Sequence, residues 1–164
     1  VKHSLEKIVN RAIIHEKKFK FSKKLPKSKH ILSPSDFGFH NVLKKKNDEL
    51  IFFDFEYFGW DDPIKLISDF YFHPAMNLSD KQKSYWVEES CRIFSIHKRE
   101  RLIAYMPLFG ICWVLIRLNN FIDAFWNKRV DANSKLINHR KDILNKDLLN
   151  ASQLLDSINH QFLD

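Results

Sequence analysis

Only three glycines and five prolines interrupt the 164 residues of this chain, and this scarcity limits its fold more than any other feature. Tight β-turns draw heavily on these two residue types, so few hairpins can form. Hydrophobic residues make up 45% of the chain and include fifteen phenylalanines, enough large apolar side chains to bury a sizeable core. The sequence therefore predicts a mainly helical globular domain, or one lobe of a larger domain.

Helical spacing of apolar residues accounts for most of the chain. Two helices carry start signals: Asp62 as N-cap before Pro63, and a capping box formed by Ser79 and Gln82. Proline at 107 and glycine at 110 indicate a kink in the most apolar segment. The predicted helices cover residues 4–18, 63–72 and 80–96, a long or broken helix over 98–128, and an amphipathic helix carrying the apolar residues from 136 to 158.

Two short strands, at residues 42–44 and 50–55, are predicted to pair as a hairpin around a polar turn at 45–49. This hairpin is the only β structure that the sequence indicates convincingly. The expected fold class is α+β, mainly helical, with one small β-hairpin.

The positive charge of the chain is local. The formal net charge is +7, and seven lysines fall between positions 17 and 29. A solvated basic loop explains this stretch better than nucleic-acid binding, because no aromatic ladder or nucleic-acid-binding motif accompanies it. Nucleic acid is therefore an unlikely partner, and a basic nucleic-acid binder stays only as a weak alternative.

Cysteine usage and hydropathy suggest a location. Cys91 and Cys112 lie far apart with no CxxC pair, so neither a disulfide framework nor a zinc site is expected, and the cytoplasm is the simplest compartment. The longest apolar run, at residues 102–118, is shorter than the roughly 20 residues of a membrane span. A buried helix and no membrane partner are expected. The chain begins with Val1 rather than Met, which is compatible with a fragment of a longer protein.

Three polar residues form the candidate site: Asp36, Asn41 and Asp54. Asp36 and Asn41 share one short loop, and Asp54 follows an apolar run predicted to be a buried strand. The hairpin should return Asp54 to the side of Asn41. An unpaired buried carboxylate is costly, and a divalent cation would justify it. Mg²⁺ favours carboxylate and amide oxygens together with substrate phosphates.

This order of residue types suits phosphoryl transfer. One Asp can orient and deprotonate the attacking hydroxyl, while an Asn and a second Asp hold Mg²⁺ against nucleotide phosphates. Taken singly, Asp36 also fits a turn cap and Asn41 a turn amide. Asp54 is the best metal candidate of the three.

The sequence SDFGFHN at residues 35–41, followed by FDFEYFGWDDP at 53–63, resembles the aminoglycoside phosphotransferase and choline kinase family. Members of that family show His-Gly-Asp-x-x-x-x-Asn, then Asp-Phe-Glu-Tyr or a similar segment. The resemblance is sharp over residues 30–75 and implies a protein-kinase-like fold with ATP as co-substrate. It implies Asp36 as the catalytic base and Asn41 and Asp54 as Mg²⁺ ligands.

The chain departs from the family pattern in two ways. The family His two residues before the catalytic Asp is Pro34, the following Gly is Ser35, and His-Pro-Gly before the Asn is replaced by Gly-Phe-His at 38–40. The family's amino-terminal lobe, with its phosphate-covering loop and lysine, has no counterpart in this sequence. The chain is therefore expected to be the carboxy-terminal lobe alone, with the amino-terminal lobe as a missing partner, and to transfer phosphate very slowly or not at all.

Further residues near the motifs are candidates for substrate contact. Glu56, Trp60 and Asp61 suggest an acidic, aromatic pocket for a cationic substrate. His40 lies inside the motif and fits either contact with substrate or phosphate, or a loop histidine bonded to the backbone. Ser35 and Asp69 are expected to support the catalytic loop from behind.

The expected function is ATP- and Mg²⁺-dependent phosphorylation of a small-molecule hydroxyl. Aminoglycosides, choline or ethanolamine, sugars and amino acids all stay open as acceptors. The alternative is a non-catalytic, kinase-like regulatory or interaction module that keeps the fold.

Overall fold

The computed structural model describes residues 2–20 and 24–162. Within them the chain is mainly helical with a small amount of β structure, which confirms the predicted α+β class. The α-helices are α1 (Lys2–Phe19), α2 (Pro63–Phe72), α3 (Asp80–Ile93), α4 (Glu100–Arg117), α5 (Asp123–Ala132) and α6 (Arg140–Phe162). The strands are β1 (Ile31–Ser33), β2 (Val42–Lys44), β3 (Leu50–Phe52) and β4 (Gly59–Asp61), and short 3₁₀ turns lie at Lys27–Lys29, Phe39–Asn41, Asn119–Phe121 and Ser134–His139.

Local signals in the sequence set the starts of α2 and α3. Asp62 accepts a hydrogen bond from the N–H of Ile64 at 2.9 Å, with Pro63 in the first turn. Ser79 and Gln82 form the reciprocal capping box at the start of α3. Each cap satisfies backbone N–H groups that have no partner inside the helix, which confirms both predicted start points.

The long apolar segment breaks later than predicted. Helix α4 runs through Pro107 and Gly110 and ends at Arg117, and the chain then tightens into the 3₁₀ turn Asn119–Phe121 before α5. Gly110 is needed for packing, because a Cβ there would lie 2.8 Å from Ile158 Cδ1 of α6. Asn120 fixes the break by donating to Asp147 of α6 at 2.6 Å.

Helix α4 forms the centre of the bundle, with α1, α2 and α6 packed around it. The most deeply buried apolar side chains come from each of these helices: Ile8, Ile67, Val114 and Ile158. Burying each of them contributes about 1.5–3 kcal/mol. The segment Glu100–Phe121 has a mean hydropathy of 1.6 and meets the length and composition of a membrane span, which a core helix of a soluble bundle also does.

Two small antiparallel sheets lie between α1 and α2 in the chain. The hairpin pairs Val42 with Phe52, as predicted, although β3 ends earlier than residue 55. The sequence did not reveal the second sheet, in which β1 pairs with β4, Ser33 opposite Gly59. This pairing closes residues 34–58 into one long loop. The loop carries both motif segments and contains the hairpin.

We predict that Asp62→Ala lowers the free energy of unfolding by about 2–4 kcal/mol, because Asp62 caps α2 and also pairs with the largely buried guanidinium of Arg101 in α4. Asp62→Asn keeps the cap acceptor and should lose about 1 kcal/mol less. Urea denaturation measures both variants.

Ser79→Ala is the matched control, since it removes a solvent-exposed cap without an ion pair and should cost about 1 kcal/mol. Equal stability of Asp62→Ala and wild type would contradict this role of Asp62.

Candidate functional site

The loop of residues 34–41, called here the Asp36 loop, begins at the buried end of β1. Ser33 is buried, and its Oγ accepts the N–H of Ser35 at 3.1 Å. Ser35 has a φ of 59°, and the N–H of Asp36 donates to the Pro34 carbonyl at 2.8 Å. This tight turn presents the Asp36 carboxylate at the surface, with 38% of the side chain exposed. Ser35 thus supports the loop through its backbone.

Asn41 links the Asp36 loop to the segment that follows β3. The side chain is buried, and Nδ2 donates to the Asp36 carbonyl oxygen at 2.9 Å. The Asn41 carbonyl accepts the N–H of Phe53 at 3.1 Å. Within the described residues, no donor bonds to the Asn41 amide oxygen, which leaves that oxygen as a candidate ligand.

Asp54 therefore follows a residue that is hydrogen-bonded to Asn41, as predicted from the hairpin. The predicted reason for its importance is wrong, because β3 is not a buried strand: Leu50 is 51% exposed and Phe53 is 41% exposed. Asp54 is itself exposed and has a φ of 64°. Its carboxylate forms no hydrogen bond with another side chain of the described residues, so it is open to solvent or a cation.

Tyr57 shows that the acidic groups share one region. A hydrogen bond with Glu56 and the charge of Glu56 raise the pKa of the Tyr57 hydroxyl, with smaller contributions from burial and then from Asp54 and Asp36. The carboxylates of both motif segments thus act on a single hydroxyl. Glu56, predicted to contact substrate, is a partner of Tyr57.

His73, which follows α2, completes the surroundings of Asp36 and was missed from the sequence. Its Nε2 lies 3.6 Å from Asp36 Oδ1, and His40 Nε2 lies 3.1 Å from the same oxygen. The two imidazole rings stack at 4.3 Å with an interplanar angle of 6°. His40 is therefore bonded to the Asp36 side chain. Ligand atoms of the three residues all lie within 4.8 Å of one another.

Asp69 reaches the loop indirectly. Its two carboxylate oxygens accept hydrogen bonds from Lys65 at 2.7 Å and from the Trp113 indole at 3.1 Å. The Trp113 ring in turn meets the His73 ring edge-on at 4.5 Å. Burial raises the pKa of the Asp69 carboxyl, and the bonds from Lys65 and Trp113 oppose this effect.

Met76 supports the Asp36 loop from below. The N–H of Phe39 points to the Met76 sulfur at 3.4 Å, and a Cβ on Gly38 would lie 1.6 Å from Met76 Cε. A side chain at position 38 would therefore displace the end of the Met76 side chain. Residues just after α2 thus hold the loop at two points, through His73 and through Met76.

The acidic, aromatic pocket predicted from Glu56, Trp60 and Asp61 is not formed. Trp60 is 69% exposed on β4 and borders a cavity of about 330 Å³ together with Lys27 and His30, which are basic rather than acidic. Asp61 accepts the N–H of Asp62 at 2.8 Å and lies 3.3 Å from Lys65 Nζ. The negative charge of Asp61 is therefore compensated within the fold.

The donor set fits a hard cation. Asn41 supplies an amide oxygen and Asp54 a carboxylate, which are the ligand types that Mg²⁺ prefers, and both are available. No family model, no curated protein and no solved structure matches this chain. The functional argument therefore depends on these contacts and on the sequence motifs.

We predict that the protein loses stability as the pH is lowered, because the fold keeps His73 neutral. Burial and the charges of His40 and Arg117 lower the pKa of His73 to about 4, although Asp36 acts in the opposite direction. The unfolded chain takes up this proton near pH 6.5 and the folded chain does not, so folding is disfavoured as the pH falls from 6.5 toward 4. The loss at pH 5 should be about 2 kcal/mol.

The measurement is urea denaturation of wild type and His73→Gln at pH 7.5 and pH 5. The variant lacks this titration and should lose about 2 kcal/mol less on acidification. The same loss in both proteins would show that His73 is not held neutral.

Proposed function

We propose that this chain is the catalytic and metal-binding lobe of an ATP- and Mg²⁺-dependent phosphotransferase that acts on a hydroxyl of a small molecule. One observation carries the proposal. The buried Asn41 bonds to the Asp36 carbonyl with its side chain and to the Phe53 N–H with its carbonyl, which joins the Asp36 loop to the residue before Asp54.

Asp36 is assigned as the base. Its carboxylate is partly exposed, and His40 and His73 both face Oδ1, so Oδ2 is left to face an incoming hydroxyl. A carboxylate in this position orients the acceptor hydroxyl and takes its proton during transfer. Catalysis then consists mainly of positioning and charge neutralisation, since no covalent intermediate with the protein is required.

Asn41 and Asp54 are assigned to the metal. The two oxygens are unpaired within the described residues, and the hydrogen bond between the Asn41 carbonyl and Phe53 keeps their backbones adjacent. When bound, Mg²⁺ neutralises charge on the nucleotide phosphates. The exposed carboxylate of Asp54 contributes negative charge to the metal site. The buried amide of Asn41 contributes a rigidly held oxygen.

A kinase-like assignment requires a second lobe. The described residues hold no glycine-rich loop to cover phosphates, and glycines stand only at 38, 59 and 110. The hairpin presents a largely apolar, solvent-exposed surface that includes Leu43, Ile51 and Phe53. Since a nucleotide must lie between the metal ligands and a covering element, we assign this surface to contact with nucleotide and an amino-terminal lobe.

The acceptor is a small molecule with a free hydroxyl. Glu56 bonds to Tyr57, and the charges of Asp54 and Asp36 also raise the Tyr57 pKa, so we expect this acidic region to favour a cationic acceptor such as an amino-alcohol or an aminoglycoside. This cationic preference now depends on Glu56 and the motif carboxylates, because Asp61 is paired with Lys65. We place the reaction in the cytoplasm, where ATP is available.

We predict that Asp36→Asn in the full-length product of the gene lowers turnover by at least about 100-fold while nucleotide binding is kept, because only the base is lost. Release of ADP is measured with aminoglycosides, choline, ethanolamine and sugars as acceptors, and nucleotide binding by calorimetry.

Asp48→Asn is the control, since Asp48 is a solvent-exposed aspartate at the hairpin turn whose carboxylate pairs with Lys44. It should leave turnover unchanged. Turnover of Asp36→Asn at the wild-type rate would reject Asp36 as the base. A wild-type protein that binds no nucleotide at millimolar concentration with Mg²⁺ would instead favour a non-catalytic kinase-like module.

A further inference from the structure

We propose that His73 is a positioning residue for Asp36, acting as a neutral imidazole whose Nε2–H is directed at Asp36 Oδ1. The catalytic meaning of this inference rests on the proposed function. The tautomer and the contact are properties of the chain itself, and they can be tested without any substrate. The atoms that carry the contact are His73 Nε2 and Asp36 Oδ1, 3.6 Å apart.

The tautomer follows from the other ring nitrogen. His73 Nδ1 lies 3.0 Å from the backbone nitrogen of Ala75 and accepts its N–H. A ring nitrogen that accepts a hydrogen bond carries a lone pair, so the single proton of the neutral ring is on Nε2. An imidazolium has no lone pair and could not accept this bond. The depressed pKa of His73 agrees with the neutral form.

Two aromatic rings pack against the His73 imidazole. His40 stacks on one face at 4.3 Å, and the edge of Trp113 approaches at 4.5 Å with an interplanar angle of 74°. Trp113 is itself fixed by its hydrogen bond to Asp69. With only 13% of its side chain exposed, His73 has little freedom to turn Nε2 away from Asp36.

These contacts fix the orientation of the Asp36 carboxylate. His40 and His73 both approach Oδ1, and neither approaches Oδ2 within the described contacts. Holding one oxygen fixes the carboxylate plane and presents the other oxygen outward. Because His73 is neutral, it does so without adding a positive charge that would weaken the base.

A metal site at the same residues conflicts with this geometry. Asp36, His40 and His73 have suitable donor types, and their ligand atoms lie within 4.8 Å. A metal on His73 Nε2 would require the proton to move to Nδ1, which would abolish the bond from Ala75 N–H. The hydrogen bond from the Ala75 N–H therefore favours a protonated Nε2 over a metal ligand at that atom.

The first test is nuclear magnetic resonance of the ¹⁵N-histidine-labelled chain at pH 7.5. The expected spectrum shows His73 with protonated Nε2 and unprotonated Nδ1, assigned by its absence in His73→Gln. A protonated Nδ1, or a mixture of tautomers, would overturn the proposal. Zn²⁺ should leave the His73 signals unchanged at equimolar concentration, and their loss on zinc addition would also overturn it.

The second test separates the contact of Nε2 with Asp36 from the hydrogen bond that Nδ1 accepts from Ala75. His73→Gln keeps an N–H donor at the ε position toward Asp36, whereas His73→Asn keeps only an acceptor near Ala75. The ¹³Cγ resonance of Asp36 should move in His73→Asn and stay close to wild type in His73→Gln. Movement of equal size in both variants, or in neither, would count against a specific contact.

The same variants test catalysis in the full-length protein. His73→Asn should lower kcat by about 10- to 100-fold with the nucleotide KM unchanged, and His73→Gln should stay within about 3-fold of wild type. His97→Asn, an exposed histidine before α4, is the control that should change nothing. Equal losses in both His73 variants, or a loss only in KM, would overturn the positioning role. If wild type turns over no acceptor, the proposed function fails, while the spectra still decide the contact.

Discussion

The proposed chemistry depends on the buried Asn41, which links the two motif segments by hydrogen bonds. Its Nδ2 donates to the Asp36 carbonyl, and its own carbonyl accepts the N–H of Phe53, so one residue holds two motif segments. A buried amide with these bonds satisfied is rigid, because breaking either bond would leave a polar group without a partner. The pairing of β1 with β4 closes the long loop of residues 34–58, which carries both motif segments. Loop positions far apart in sequence thus become neighbours.

The helical bundle also positions the Asp36 loop. The segment after α2 supplies His73 and Met76, which contact Asp36 and the backbone of Phe39. Its position depends on α2, which Asp62 caps and joins to α4 through Arg101. Stability and site geometry are therefore linked: a change that loosens the end of α2 also alters the surroundings of the assigned base.

Local signals predicted much of this arrangement. The caps at Asp62 and Ser79 act within a few residues, so the sequence reveals them directly, and the hairpin follows from its turn. The β1–β4 sheet depends on pairing across about 25 residues between three-residue strands, which leave no periodic pattern to detect. The sequence did not reveal that β3 is exposed. An apolar run has the same pattern whether the core of its own domain or another partner covers it. His73 was missed because its contact with Asp36 depends on how α2 ends, which lies outside both motifs.

The central proposal is that Asn41 and Asp54 bind one divalent cation next to Asp36, and paramagnetic Mn²⁺ added to the ¹⁵N-labelled chain tests it most directly. At substoichiometric Mn²⁺, the account predicts selective broadening of the amide signals of residues 36–41 and 53–57, reversal by excess Mg²⁺, and loss of the effect in Asp54→Asn. Broadening centred on the hairpin turn at 45–49, or broadening that Asp54→Asn leaves intact, would contradict it.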